Sequence, residues 1–288
     1  MKCDCHIHMA LDGMDHTQAI GRNRREADET LVRARLADYQ KRGTTFLRDG
    51  GDAWGVSLLA KRLAPEYNIR YVSPAFPIYK KGYYGAFIGC GYANRAEYME
   101  LLDEAEAQGA DFIKLMLSGI MDFNCFGRLS CPSLAADELR SLIGLAHERG
   151  FAVMAHLNGD EAIRQAIEAG VDSVEHGNFM EKDTVKCLSD SAAVWVPTLS
   201  PIFRSIGRGR FDDDVLRRIA ERQLNCVAMA ASQGAYIAPG SDGGAWQVFH
   251  GPCAEAEQHY LQLALGSGTE LVLGLGAAQI CEKFRRRS

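Results

Sequence analysis

Asp4-Cys5-His6-Ile7-His8 is the first stretch whose residue types and spacing could do chemistry. On a β-strand, successive side chains alternate between faces, so Asp4, His6 and His8 share one face, and Cys3, Cys5 and Ile7 the other. Two imidazoles pointing the same way can hold one metal ion through neutral nitrogens. A carboxylate one pleat back could orient such a ligand. A strand that merely carries two histidines fits the pair equally well, so the remaining metal-binding residue types have to decide. Lys114 stands in Asp111-Phe112-Ile113-Lys114-Leu115-Met116, His156 and His176 each end a short apolar run, and Asp242 follows Gly240-Ser241.

These residues need elements to position them. Eight short apolar or β-branched runs read as strands, at 2–8, 44–49, 69–75, 112–117, 151–156, 173–176, 193–198 and 236–241. Helical segments alternate with them at 27–42, 55–63, 95–108, 135–149, 161–169, 182–189, 215–232, 254–265 and 270–284. Several end on a glycine suited to a left-handed cap, among them Gly43, Gly109, Gly150, Gly170 and Gly234. Repeated strand–helix units around a parallel sheet at this length predict an α/β fold, a (β/α)8 TIM barrel in one domain spanning residues 1–288. In such a barrel the chemistry sits at the C-terminal ends of the strands. His6, His8, Lys114, His156, His176 and Asp242 would then converge on one mouth.

Composition narrows the function classes. The formal net charge is −5, which offers no general basic field to recruit nucleic acid or an anionic membrane. No apolar run approaches the roughly 20 residues needed to cross a bilayer, and the start lacks a signal-peptide pattern, so the expected address is the cytoplasm. The nine scattered cysteines read as reduced, with Cys3 and Cys5 among buried apolar neighbours rather than on zinc. The tail Arg285-Arg286-Arg287 reads as solvated charge after a terminal helix.

The D-x-H-x-H opening, Ile113-Lys114, the single histidines ending strands five and six, and Gly240-Ser241-Asp242-Gly243 together resemble the amidohydrolase superfamily over nearly the whole chain. Ile113-Lys114-Leu115-Met116-Leu117-Ser118-Gly119, Val174-Glu175-His176-Gly177 and Pro197-Thr198-Leu199-Ser200-Pro201 look most similar to its prolidase-like and imidazolonepropionase-like branch. The resemblance implies a binuclear metal centre, most plausibly two zinc ions. His6, His8 and Asp242 would hold one ion and His156 and His176 the second, with Lys114 carboxylated by carbon dioxide as the anionic bridge. A metal-bridging hydroxide would attack an amide carbonyl while Asp242 shuttles the proton to the leaving group. Most relatives also carry a small β-sandwich, whereas this sequence opens directly on the metal motif and ends on an expected helix. The expectation is a bare barrel whose uncovered surface meets solvent, a second copy in a homo-oligomer, or another partner.

Specificity is expected from the loops at 10–28, 76–94, 118–132, 200–214 and 243–253. Tyr83 and Tyr84 are substrate-contact candidates, as is His250. Arg204, Arg208 and Arg210 could bind a substrate carboxylate, and Trp246 and Phe249 could form an apolar wall. His147 reads as a surface residue of an outer helix. The expected activity is hydrolysis of an amide-type C–N bond in a small molecule such as a dipeptide, an N-acyl amino acid or a cyclic amide. A mononuclear deaminase, a lactone or ester hydrolase, and a non-enzymatic metal-containing binding module are the alternatives; Lys114 disfavours the deaminase.

Overall fold

The computed structural model describes residues 2–286. Arg287, part of the basic tail, lies outside them, while Arg286 pairs with Glu106 and covers the Phe151 ring. The described residues form ten strands: β1 (Cys3–Ile7), β2 (Phe46–Asp49), β3 (Arg70–Val72), β4 (Pro77–Lys80), β5 (Cys90–Tyr92), β6 (Ile113–Met116), β7 (Val153–Asn158), β8 (Ser173–Asn178), β9 (Val194–Val196) and β10 (Tyr236–Ile237). All eight expected strands and all nine expected helices are among the observed elements. Strands β4 and β5 and the short helices His16–Asn23 and Ser200–Ser205 fall where loops were expected. β4, β5 and Ser200–Ser205 are too short to show a period, and His16–Asn23 buries only two apolar side chains, Ala19 and Ile20, in a largely polar segment.

The strands pair in parallel throughout, in a three-stranded sheet ordered β1-β2-β3 and a seven-stranded sheet ordered β10-β9-β8-β7-β6-β4-β5. The third expected strand, 69–75, is cut short to β3. It pairs with β2, and after a bend at Pro74-Ala75, with Ala75 at φ 64°, the chain re-enters as β4 beside β6. At that bend the Asp111 N–H donates to the Ser73 carbonyl at 2.8 Å. On the other flank, the segment after β10 runs along β1. The Cys5 N–H donates to Pro239 O at 2.8 Å, the Asp242 N–H to His6 O at 2.8 Å and the His8 N–H to Gly243 O at 2.7 Å.

Alternation along the strands sorts side chains into two layers. Ile113, Leu115, Val153, Ala155, Val174 and Trp195 face the helices and pack with Leu139, Ile143, Ile163 and Leu188. Phe46, Val72, Phe112, Met154, Val194 and Val196 occupy the opposite face with Cys3 and Cys5, where Ala277, Ile280 and Phe284 of the last helix join them. Contrary to the expectation that no run is long enough, Pro252–Lys283 is, by length and composition, long and apolar enough to cross a membrane. It is broken at Gly266–Gly268, and its second half presses onto β10 so tightly that a Cβ at Gly276 would lie 2.0 Å from the Ile237 carbonyl oxygen.

Candidate metal centre and active-site cavity

Two β-bulges decide which side chains reach the site. In β1, Asp4 pairs with Leu47 but Ile7 pairs with Asp49, so three residues of β1 advance while β2 advances two. The extra residue resets the parity: Cys5 and His6 both leave the helix-facing layer, and Ile7 packs into it. Asp4 therefore does not share a face with His6, as simple alternation predicts. Instead Asp4 reaches Ser241, accepting its N–H at 2.8 Å and its hydroxyl at 2.6 Å, and so pins the turn that carries Asp242. In β8, Leu157 pairs with His176 and Asn158 with Asn178, again leaving one residue over. His176 sits there at φ 66°, which turns its ring out of the expected alternation and into the cavity.

The result is a cluster. The Nε2 atoms of His6 and His8 lie 3.4 Å apart, and each is 3.5 Å from Asp242 Oδ1. Among the described residues these three can present ligand atoms that all lie within 4.8 Å of one another. The His176 ring centroid is 5.0 Å from that of His6 and 4.5 Å from that of His156. Lys114 is buried beside them, and its Nζ has no hydrogen-bond partner. His8 packs so closely on Gly50 that a Cβ there would come within 2.4 Å of the ring.

Electrostatics prepare these groups to be ligands. Burial, reinforced by Lys114, holds His8 and His156 near pKa 3 and His6 and His176 well below the ordinary imidazole range, so all four are neutral at pH 7. Burial likewise brings Lys114 down to about 8 and pushes Asp242 up to about 7. A buried amine and a buried carboxyl both short of their full charge are what low-dielectric surroundings produce without a counter-ion. A divalent cation beside Asp242 would reverse its shift. Neutral imidazoles, one carboxylate and an orphaned amine thus form a donor set that fits divalent metal.

Glu175 joins this cluster although alternation did not assign it there. Its Oε2 accepts from His6 Nδ1 at 2.7 Å, which leaves the His6 Nε2 lone pair for the site, and both its oxygens accept from Arg48 at 2.8 and 2.9 Å. All three side chains are fully buried. On the sequence, Glu175 reads as part of Val174-Glu175-His176-Gly177; the bulge at His176 is what lets neighbouring residues serve one site. His176 Nδ1 has a similar partner, the Thr198 hydroxyl at 2.7 Å. Thr198 and Asp242 share the left-handed backbone of His176, at φ 50° and 59°. Non-glycine residues held this way cost of order 1 kcal/mol each, and three of them gathering at one cavity mark it as functional.

Replacing Glu175 by glutamine would strand the Arg48 charge in the interior. Glu175→Gln is expected to lower unfolding stability by about 3–5 kcal/mol in urea titrations, and a loss under ~1 kcal/mol would show that Arg48 does not depend on this partner.

The cluster forms the floor of a cavity of about 330 Å³. Its walls are largely apolar, with Leu11, Phe87, Ile88, Met121, Phe123 and Ile202 among them. Tyr84 and Trp246 also line it, and Tyr84 lies over His156 with ring centroids 4.9 Å apart. Other expected contacts fall elsewhere. Tyr83 lies outside the cavity walls under Lys80. Arg204 donates to the Gln247 carbonyl at 3.3 Å and Arg208 is exposed, neither lining the cavity. His250 is buried behind the Asp242 turn, with Nε2 2.9 Å from the Leu11 carbonyl and Nδ1 3.3 Å from the Tyr39 hydroxyl, so it supports the loop and reaches neither substrate nor solvent. Phe249 is absent from the walls as well. Arg210 and His16 do line the cavity, His16 from the start of the helix His16–Asn23, which falls in the expected loop 10–28. His147 is a surface residue paired with Asp172 at 2.9 Å.

Comparison with known proteins places this geometry. An uncharacterized protein of Mycobacterium tuberculosis is 30% identical over 130 residues, 43% of this chain and 35% of that protein. The ochratoxinase of Aspergillus niger is 28% identical over 171 residues, 57% of this chain and 35% of that protein. The matches thus span about a third of the length of these curated relatives. Among solved structures, a Xaa-Pro dipeptidase with bound methionine superposes with TM-score 0.78 at 20% identity, covering 99% of this chain and 77% of that one. The A. niger ochratoxinase structure gives TM-score 0.80 at 19% identity, covering 99% and 72%. At these identities the superpositions establish a shared fold. The sequence profile of the amidohydrolase family matches residues 3–272, and the chain belongs to that family.

Proposed function

We propose that this protein is a binuclear metal-dependent hydrolase of an amide-type C–N bond, built on a closed (β/α)8 barrel. The carrying observation is Lys114: a fully buried amine with no hydrogen-bond partner, set among four neutral imidazoles and Asp242. Left as it is, that amine is an uncompensated cost; carboxylated by carbon dioxide, with loss of a proton, it becomes an anion able to join two cations. The flanking hydrogen bonds between the two sheets, at Ser73 on one side and along β1 on the other, support reading them as arcs of one barrel.

In this reading His6, His8 and Asp242 would hold one divalent ion, His156 and His176 the second, and Lys114 would serve both. The ions, most plausibly zinc given imidazole and carboxylate donors, would lower the pKa of a water toward neutrality and polarise the substrate carbonyl. The chain's own residues do the rest. Glu175 fixes the tautomer of His6, the Thr198 hydroxyl orients the ring of His176, the aromatic walls keep bulk water from the reacting bond, and Asp242 takes a proton and returns it to the leaving nitrogen. The dipeptidase and ochratoxinase relatives support the amide class, and a lactone or ester hydrolase is the second reading on the same residues. Elemental analysis of active protein should find about two divalent ions per chain. A constant value of one would remove the binuclear reading and favour the deaminase.

A further inference from the structure

We infer that the substrate is an N-acyl amino acid with a bulky apolar acyl half and a free carboxylate, and that Arg210 reads the carboxylate; this rests on the amide-hydrolase reading. Arg210 borders the cavity with its guanidinium carbon 4.7 Å from the Trp246 ring centroid and 5.2 Å from that of Phe211. The two rings meet edge to face at 5.4 Å and hold the guanidinium in place without neutralising it. Among the described residues no carboxylate pairs with Arg210. Nearby Asp213 and Asp214 are instead drawn to Arg217. A planar cation with its fork free beside the largely apolar walls of this cavity matches a carboxylate.

The same walls argue against a free amino end. Among the described residues Asp242 is the one acidic side chain lining the cavity, and it belongs to the candidate metal group with His6 and His8. The uncharged polar side chains on the walls, Asn158, Asn178, Thr198 and His16, offer a dipeptide's ammonium group no opposite charge, so it would sit beside Arg210 and the cationic centre with no anion to receive it. Acylation removes that charge and supplies apolar surface to the wall.

The test uses zinc-loaded full-length protein and three compounds: N-phenylacetyl-leucine, its C-terminal primary amide, and the dipeptide phenylalanyl-leucine. Wild type should favour the acid over both others by roughly 10- to 100-fold in kcat/KM, the range for losing a charge-assisted contact. Arg210→Gln should erase most of the preference for the acid over its amide, acting through KM. Arg210→Lys, which keeps the charge but loses the fork and the stacking, should fall between. Calorimetric titration of the same compounds keeps the inference separate from the catalytic reading: if none is hydrolysed, the acid must still bind at least tenfold more tightly than its amide, and only to protein with Arg210. Equal losses on acid and amide in Arg210→Gln, or a preference for the free dipeptide, would overturn the inference.

Discussion

Asp242→Asn is expected to lower kcat by roughly 10² to 10⁴ with little change in KM, while the protein retains most of its metal. Asparagine keeps the shape and one oxygen donor but cannot accept a proton, and general acid–base steps contribute on this scale. The turn itself should survive, because it is held by the Asp4–Ser241 hydrogen bonds and the Asp242 N–H to the His6 carbonyl, none of which uses the Asp242 carboxylate. The pH profile gives a second readout. In the metal-free protein burial pushes Asp242 up to about 7, and a bound dication would pull it down. The acid limb of wild-type kcat should therefore lie well below pH 7. The limb due to Asp242 should be missing in the variant. Near-wild-type kcat in Asp242→Asn would falsify the proton-transfer role and leave the aspartate as a ligand alone.

Lys114→Met should separate activity from stability, with opposite signs. Without an amine no carbamate can form, so the variant should lose at least one ion per chain and nearly all hydrolysis. Lys114→Ala, which leaves space, should be partly rescued by short carboxylic acids. In metal-free protein, however, Lys114→Met should be more stable than wild type by about 1–3 kcal/mol, because the buried, unpartnered amine is replaced by an apolar chain of similar length. The sign with pH follows from its lowered pKa, about 8 folded against 10.5 as a free side chain. Between those values the unfolded chain binds more protons, so wild-type stability rises with pH there and the advantage of Met shrinks. The advantage is largest below pH 8. Thermal unfolding in chelator at pH 7 and pH 10 measures it; a destabilised metal-free Lys114→Met, or one with full activity, would refute the assignment of Lys114.

Much of this protein is legible along the chain, because helices and strands leave periodic traces and metal chemistry uses few residue types. The period-two and helical patterns marked the strands and helices now observed, and the glycines at 43, 109, 150, 170 and 234 all take the positive φ of a helix cap. His6, His8, Lys114, His156, His176 and Asp242 could be nominated together because His, Lys and Asp are costly to bury at the ends of apolar strands without a purpose.

Strand parity failed where the site is built. A bulge is one extra residue opposite a partner strand, and its signature lies in the pairing of Asp4 with Leu47 and Ile7 with Asp49, which no single strand contains. That slip sends Asp4 to Ser241 and leaves the orientation of His6 to Glu175, 169 positions away in sequence. The loops were harder still, since a cavity wall is chosen by which side chains neighbouring loops leave uncovered. Arg204, Arg208 and Arg210 are equivalent in composition, and only packing against Trp246 and Phe211 brings Arg210 to the cavity while Arg204 is spent on the Gln247 carbonyl. Sequence by itself determined the chemistry that could be done, through residue types and strand ends. Tertiary structure decided which of those residues face one another, because register, bulges and loop packing are set by contacts between segments remote in the chain.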